Sequence, residues 1–372
     1  MKAERLASLD AFRGFTVAGM ILVNNPGSWT AAYPQLLHAP WHGWTFTDFI
    51  FPFFLFIVGV SMVYSFAVRI AKGDSTGELM KQVIRRSAII FAIGFFLNFF
   101  PNFNLSTVRI PGVLQRIAVC YLLGSVIVLN TTWRGQAWWL AGLLVFYYAA
   151  MTYIPVPDIG VGVLDPGRNL SAYLDQFVLT GHMWVSTKTW DPEGLFSTIP
   201  AIGTTLCGVL TGHLLLSSYT RSEKAMIMIG YGIAGLVIGH VMSWFMPINK
   251  SLWTSSYVVF MAGWALIFLA VFYYVMDIRG WTIWAKPFTV YGLNALIVFA
   301  GSGLVAKIMG LIKITVDPIT GRQVGLKTFL FDNYFAPFAD PLNASLLYAI
   351  AFNVVFLGIA WGMHYKKWYV KI

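Results

Sequence analysis

Two histidines, an aspartate and several large aromatics crowd the stretch LLHAPWHGWTFTDFIFP, residues 36–52, at the edge of a long apolar run. An imidazole changes charge near neutral pH, which suits His38 to work as a general base or as a nucleophile. It is equally at home as an amphipathic group at a membrane interface, as are His42, Trp41 and Trp44. A carboxylate against one imidazole nitrogen fixes the tautomer and raises the basicity of the other, a role open to Asp48. Asp48 also stands where a carboxylate complements a helix dipole, with Thr45 and Thr47 as capping hydroxyls, so cap and catalytic partner both remain open. Pro34 and Pro40 bracket His38, so His38 and His42 do not form a helical i,i+4 pair. With Asp48 as the sole nearby carboxylate, the ligand set is too thin for a four-coordinate metal, and no metal is expected.

Other candidates are spread along the chain. In VNNPG, Asn24 and Asn25 read either as a helix stop or as amide donors to a developing oxyanion. Asn24 is expected to be buried, because it still lies in the apolar run. Arg109 and Arg116, two helical turns apart in RIPGVLQRIAVCY, put one arginine inside the bundle, to bind phosphate or to pair with a carboxylate. In WDPEGLF, Asp191 and Glu193 fit a helix start, with Asp191 as N-cap and Pro192 at the first position. They also fit recognition of a cationic amine. Asp10 and Arg13 are at i,i+3 in SLDAFRG, and Lys81, Arg85 and Arg86 cluster in KQVIRRS, to face anionic lipid or to dock a nucleotide's phosphates. Neither GxxxxGK[ST] nor GxGxxG occurs.

The elements that must position these groups are membrane helices. Of 372 residues, 58% are hydrophobic and only 11% charged, and mean hydropathy is +0.70, far from the composition of soluble domains. The expected fold is an all-α polytopic bundle of about ten transmembrane helices, near residues 9–25, 47–70, 86–100, 112–130, 136–154, 197–217, 225–246, 253–276, 289–308 and 344–365. Lys and Arg concentrate at the termini and in the even-numbered loops, Lys2, Arg5, Arg69, Arg134, Arg221 and Lys371 among them. The positive-inside rule then places both termini in the cytoplasm and His38 on the far side. The net charge of +10 follows from this topology. With no basic stripe interleaved with exposed aromatics, no nucleic-acid partner is expected. The apolar segment after MKAER runs on without a cleavage site and reads as a retained span. Cys120 and Cys207 lie in apolar runs and imply no disulfide framework. Residues 1–372 read as a single domain in the lipid bilayer, with outer loops at about 155–196 and 309–343, long enough to act as lids or binding loops.

In their order, RLASLDAFRG, VNNPG, HAPWHGWTFTDFIFPFFLFIVG, RRSAIIFAIGFFLN, RIPGVLQRIA, DPEGLFSTIPAI, NKSLWTSSYV and PFTVYGLNAL resemble the successive blocks of the transmembrane acyltransferases of the heparan-alpha-glucosaminide N-acetyltransferase family. The resemblance runs from Arg5 to about Val298, and the block holding His38 is its most specific part. Members with an extra luminal N-terminal domain differ from this chain, which looks like a compact bacterial form in the inner (cytoplasmic) membrane. The resemblance implies acetyl transfer from cytoplasmic acetyl-CoA to the amine of a glucosamine-type sugar on the far side, and it suggests a homodimer. His38 matches the family's active-site histidine, Asn24 its nearby asparagine and Asp48 the aspartate that opens the next span. Arg13, Arg85, Arg86 and Arg116 are then expected to hold the donor's phosphates, and Asp191, Glu193 and Trp41 to meet the acceptor. The competing expectation is a transporter of amino sugars, with a bundle-centre site at Asn24, Arg116 and Asn294 and spans broken at Pro52 and Pro200.

Overall fold

The computed structural model describes residues 6–317 and 320–370. Lys2, Arg5 and Lys371, used above for orientation, lie outside them. The helices are α1 (Ala7–Asn24), α2 (Thr47–Ile70), α3 (Thr76–Phe99), α4 (Val113–Asn130), α5 (Trp133–Tyr153), α6 (Leu170–Leu179) and α7 (Thr198–Leu216). They continue with α8 (Arg221–Met242), α9 (Ser255–Tyr273), α10 (Lys286–Leu293), α11 (Ala295–Leu311), α12 (Leu326–Tyr334) and α13 (Pro341–Tyr365). A short antiparallel hairpin, Lys313–Asp317 with Arg322–Gly325, is a small departure from the all-helical expectation.

Fewer spans stand out than the ten expected. Among the described residues, seven helices are long and apolar enough to cross a bilayer, and an eighth is counted if α10 and α11, bent by 74°, form one broken span. The first and fifth expected spans are helices of 18 and 21 residues outside that set. Asp10 and Arg13 dilute α1, and α5 is rich in Trp and Tyr, whose polar atoms lower its hydropathy. Helix α3 begins ten residues before its expected span, because Ser75 and Glu78 form a capping box. Lys81, Arg85 and Arg86 therefore ride on a helix rather than in a loop.

Neither Pro52 nor Pro200 breaks its span. Pro200 lies in the first turn of α7, where its N–H has no helical partner to lose. Pro52 leaves the Asp48 carbonyl without its i+4 donor, and the Tyr257 hydroxyl donates to that oxygen at 2.6 Å instead. The real break is at Asn294, whose φ of −126° and ψ of 32° are not helical.

Helix α2 is the core element, walled in by α1, α4, α7 and α9. Phe12, Phe53, Phe268 and Phe272 interlock around it with ring centroids 5.3 to 6.4 Å apart. Backbone meets backbone at two crossings, where a Cβ on Gly59 or Gly208 would strike the Thr205 or Phe56 carbonyl, and one on Gly14 or Gly292 the Phe288 or Asp10 carbonyl.

The loops sort to two ends. At one, the loops after α1, α3, α5 and α6 and the first turns of α13 meet: Trp41 Nε1 donates to the Leu164 carbonyl, Ile110 N to His182 O, and Gly27 N to Ser345 O. At the other, Asp277 after α9 accepts from Ala7 N and Ser8 N and so caps α1, while Arg221 of α8 donates to the Asp277 carbonyl. These are called below the histidine end and the arginine end.

Candidate active site

His38 sits in an irregular loop that follows a single helical turn at Pro34–Leu36. Its Nδ1–H donates to Asp48 Oδ1 at 2.6 Å, which leaves Nε2 as the basic nitrogen on a half-exposed ring. Asp48 itself is buried, and its Oδ2 accepts from Ala39 N at 3.0 Å, Thr45 N at 2.9 Å and the Thr45 hydroxyl at 3.2 Å. The carboxylate that ties the backbone of loop 37–48 to the first turn of α2 is thus the one that orients the imidazole, while no side-chain bond caps α2 itself. Thr45 and Thr47 do not cap α2 through their hydroxyls.

Asn24 does not occupy the buried environment expected of it. Asn24, at the last position of α1, is exposed, whereas Asn25 is buried with its Nδ2 donating to Ile21 O. The chain turns at Asn24, so the end of the apolar run is not the end of the buried run.

Trp41 packs edge-on against Trp190, with centroids 5.0 Å apart, and so seats the 155–196 loop against the His38 loop. Behind it lies a buried charge cluster. Arg109 donates from Nε and Nη2 to Asp191 and from Nη2 to Glu193, at 2.6 to 2.8 Å, and Lys250 adds a contact to Glu193 at 3.3 Å. Burial would raise the Glu193 carboxyl, but Lys250, Arg109 and Arg116 outweigh it and hold it down at about 2. The expected helix start at Asp191 is not observed: its Oδ1 accepts from Glu193 N in a turn, and α7 begins at Thr198. The pull of Arg109 on both carboxylates explains the difference. Arg109 lies before α4, not on it.

Arg116 is buried on α4, under the same cluster. Its Nη2 donates to Gly194 O and Ser197 Oγ, and its guanidinium lies 5.1 Å from the Trp253 ring centre. It is not brought together with Arg13, Arg85 or Arg86. Asp175 faces this region with one oxygen bonded by Leu195 N and the other unpartnered. Burial, reinforced by the charge of Asp191, pushes its carboxyl up to about 6. A raised carboxyl favours the folded state below its ordinary 3.8, and that advantage is lost as pH rises through 6. Asp175→Asn is therefore expected to stabilise the protein at pH 7.5, by up to about 3 kcal/mol at 1.36 kcal/mol per unit, and to change little at pH 4. Melting curves in detergent at the two pH values measure this; equal shifts at both would refute it.

At the arginine end a cavity of about 330 Å³ opens between α1, α2, α3, α4 and the α10/α11 break. Arg13 lies on its wall, held by Asp10 at 3.0 Å and donating to Ser61 Oγ at 2.7 Å and Gly292 O at 3.4 Å. Arg86, stacked on Tyr121, is shared with a neighbouring cavity of about 310 Å³ that also takes in Arg69 and Arg85. Cavities of this size are in the range of small-molecule and cofactor sites. Among the described residues, no group of three or more His, Cys, Asp or Glu is placed to hold a metal. Ser61 and Gly292 are parts of this site that the motifs alone did not reveal, although a serine repeat at Ser61 and Ser65 was a signal, and Asn294, expected in a transporter's central site, borders this cavity instead.

A multi-pass membrane protein with a carboxylate-oriented histidine at one end and an arginine-lined cavity at the other is thus defined by its geometry. The profile described as "Heparan-alpha-glucosaminide N-acetyltransferase, catalytic" matches residues 5–240, and the chain belongs to that family. It is 30% identical to the Homo sapiens protein named heparan-alpha-glucosaminide N-acetyltransferase, over 80% of this chain and 52% of that one. The Mus musculus protein of that name is 29% identical over 80% of this chain and 53% of its own. The chain spans about half the length of these curated relatives.

Proposed function

We propose that the protein is a transmembrane acetyltransferase that takes the acetyl group of acetyl-CoA at the arginine end and delivers it to the amine of a glucosamine-type sugar at His38. The observation that carries this reading is the face of α2. Arg69, Ser65, Ser61, Ile57 and Phe54 recur at three- and four-residue spacing along the two cavities, a stripe of roughly 22 Å at 1.5 Å per residue. Asp48 begins the same helix, six residues before Phe54 and roughly 9 Å from it along the axis. This one helix therefore lines a path for an extended pantetheine arm, from the cavities where Arg13, Arg69, Arg85 and Arg86 gather to the carboxylate that holds His38. The arginine end is taken as cytoplasmic, where acetyl-CoA is made, in the inner membrane of a bacterium.

The amine attacks the thioester carbonyl as a free base, because only that form has a lone pair. His38 Nε2 accepts a proton from nitrogen as the N–C bond forms; the C–S bond breaks, and that proton passes to the leaving sulfur. Asp48 holds the imidazole in the required tautomer. Asn24, exposed at the end of α1, supplies the amide that meets the oxyanion. Arg13, Arg85 and Arg86 hold the phosphates. Trp41 supplies a flat surface for a sugar ring, and Asp191 and Glu193, already engaged by Arg109, shape the acceptor side through the loop they anchor. Arg116 fixes Gly194 and Ser197 in that loop rather than meeting the donor. The transporter alternative loses its support at Asn294, where both side-chain amide atoms are bonded to protein backbone.

The test is release of CoA by the purified protein. Glucosamine is expected to drive it, with converging double-reciprocal plots for direct transfer and parallel ones if His38 carries the acetyl group. Arg86→Ala is expected to raise KM for acetyl-CoA by roughly tenfold to a hundredfold, the worth of a charged hydrogen bond, and to leave KM for the amine alone. No CoA release with any primary amine would end the proposal.

A further inference from the structure

The donor cavity has a wall that no motif announced. Val370, five residues beyond the end of α13, lines it beside Asn294. The Asn294 side chain is 3% exposed, and both of its amide atoms go to this one segment: Nδ2 donates to Trp368 O at 3.0 Å, and Oδ1 accepts from Val370 N at 3.0 Å. Bonds to the carbonyl of one residue and the N–H of the second residue beyond it form a clamp like one rung of a sheet ladder. The asparagine stands at the break between α10 and α11, where the chain is no longer helical and a side chain is free to face a neighbouring strand-like segment.

The approach of the segment is equally specified. Trp368 N donates to Met363 O and Lys367 N to His364 O, the paired bonds of a Schellman close to α13. Lys367 occupies the left-handed position at φ 56°, where glycine is the unstrained choice. A non-glycine residue held there turns the chain back across the bundle instead of letting it run on into solvent. Lys366 and Lys367 are exposed on this strap, on the side where Arg13 and Arg86 already face the cavity.

We infer that residues 366–370 are a strap that completes the donor site and that Asn294 is its latch, retaining a phosphate-bearing thioester once it has entered. The inference rests on acetyl-CoA being the donor in this cavity. Asn294 acts as a positioning residue: it touches the strap, and the strap borders the ligand. Removing the strap opens the cavity wall, and it also leaves a buried amide without partners, which the fold resists.

Two changes separate the strap from general destabilisation. Val370→Pro removes the N–H that donates to Asn294 Oδ1 and leaves the bond from Asn294 Nδ2 to Trp368 O in place, and a chain ended after Lys367 removes both partners. Acetyl-CoA binding to purified protein is measured directly, together with KM for donor and for glucosamine. The expected result is a loss of donor affinity of roughly tenfold for the shortened chain and a smaller loss for Val370→Pro, with faster dissociation and an unchanged KM for glucosamine. Unchanged or tighter donor binding in both variants would overturn the strap while leaving the acetyltransferase reading in place. If the unmodified protein binds no acetyl-CoA, both readings fall together.

Discussion

His38→Ala is expected to abolish amine-dependent release of CoA, by about 10² to 10⁴-fold, the contribution of a positioned general base, while acetyl-CoA binding is retained. The loss falls on kcat and on kcat/KM alike, because the imidazole works on the proton that moves in the transition state. Asp48→Asn separates orientation from basicity. An amide in that place can still accept from His38, but its NH2 would face the backbone N–H groups of Ala39 and Thr45, which now donate to Oδ2. The variant is expected to lose activity and to loosen loop 37–48, seen as faster hydrogen exchange at Ala39 and Thr45. Full turnover by His38→Ala would remove the histidine from the mechanism.

The second large effect lies in the buried charge cluster and concerns stability. Arg109→Met leaves Asp191 without its bidentate partner and Glu193 with Lys250 and the nearby Arg116. Removing one partner from a buried ion pair costs about 3–5 kcal/mol, because the remaining charge stays out of water. The pH dependence carries a signature. In the unmodified protein the Glu193 carboxyl is held below its ordinary 4.5, so its stabilising contribution is complete above that value and fades only as pH falls towards 2. Without Arg109 the folded-state value moves back towards 4.5, so this contribution is smaller and the decline between pH 4.5 and 2 is shallower. Melting in detergent between pH 2 and 8 measures both effects, and an unchanged melting temperature would show that the cluster does not hold the loop.

The sequence made some of this legible and concealed the rest for physical reasons. Apolar run length located the helices, since the bilayer enforces it, and HxxxHxxxxxD with its flanking prolines marked the loop that holds His38 and Asp48. Spacing could not reveal that the carboxylate holding loop 37–48 to α2 is also the partner of His38, because the fold of that loop decides it. The helix start that local preference offers at Asp191, one of two readings of that residue, gives way to Arg109, 82 residues away in sequence. The break that the transporter reading places at Pro52 does not form, because compensation comes from Tyr257, 209 residues from Asp48. The latch at Asn294 joins residues 76 apart through backbone atoms, which leave no pattern of side chains to read.

The glycine crossings have a mechanical consequence. Gly59 and Gly208 bring α2 and α7 into backbone contact, and Gly14 and Gly292 do the same for α1 and α10. Neither pair can slide or twist internally without carbonyl oxygens colliding with the opposing chain, so each moves as a welded unit. At the arginine end the donor cavity lies along the seam between the two units, with Arg13 and Gly292 on one side and Ser61 on the other. The bond from Arg13 to Ser61 bridges that seam. Any relative movement of the two units is then rigid-body movement across this seam, and the guanidinium that spans it is one of those proposed to meet the donor's phosphates.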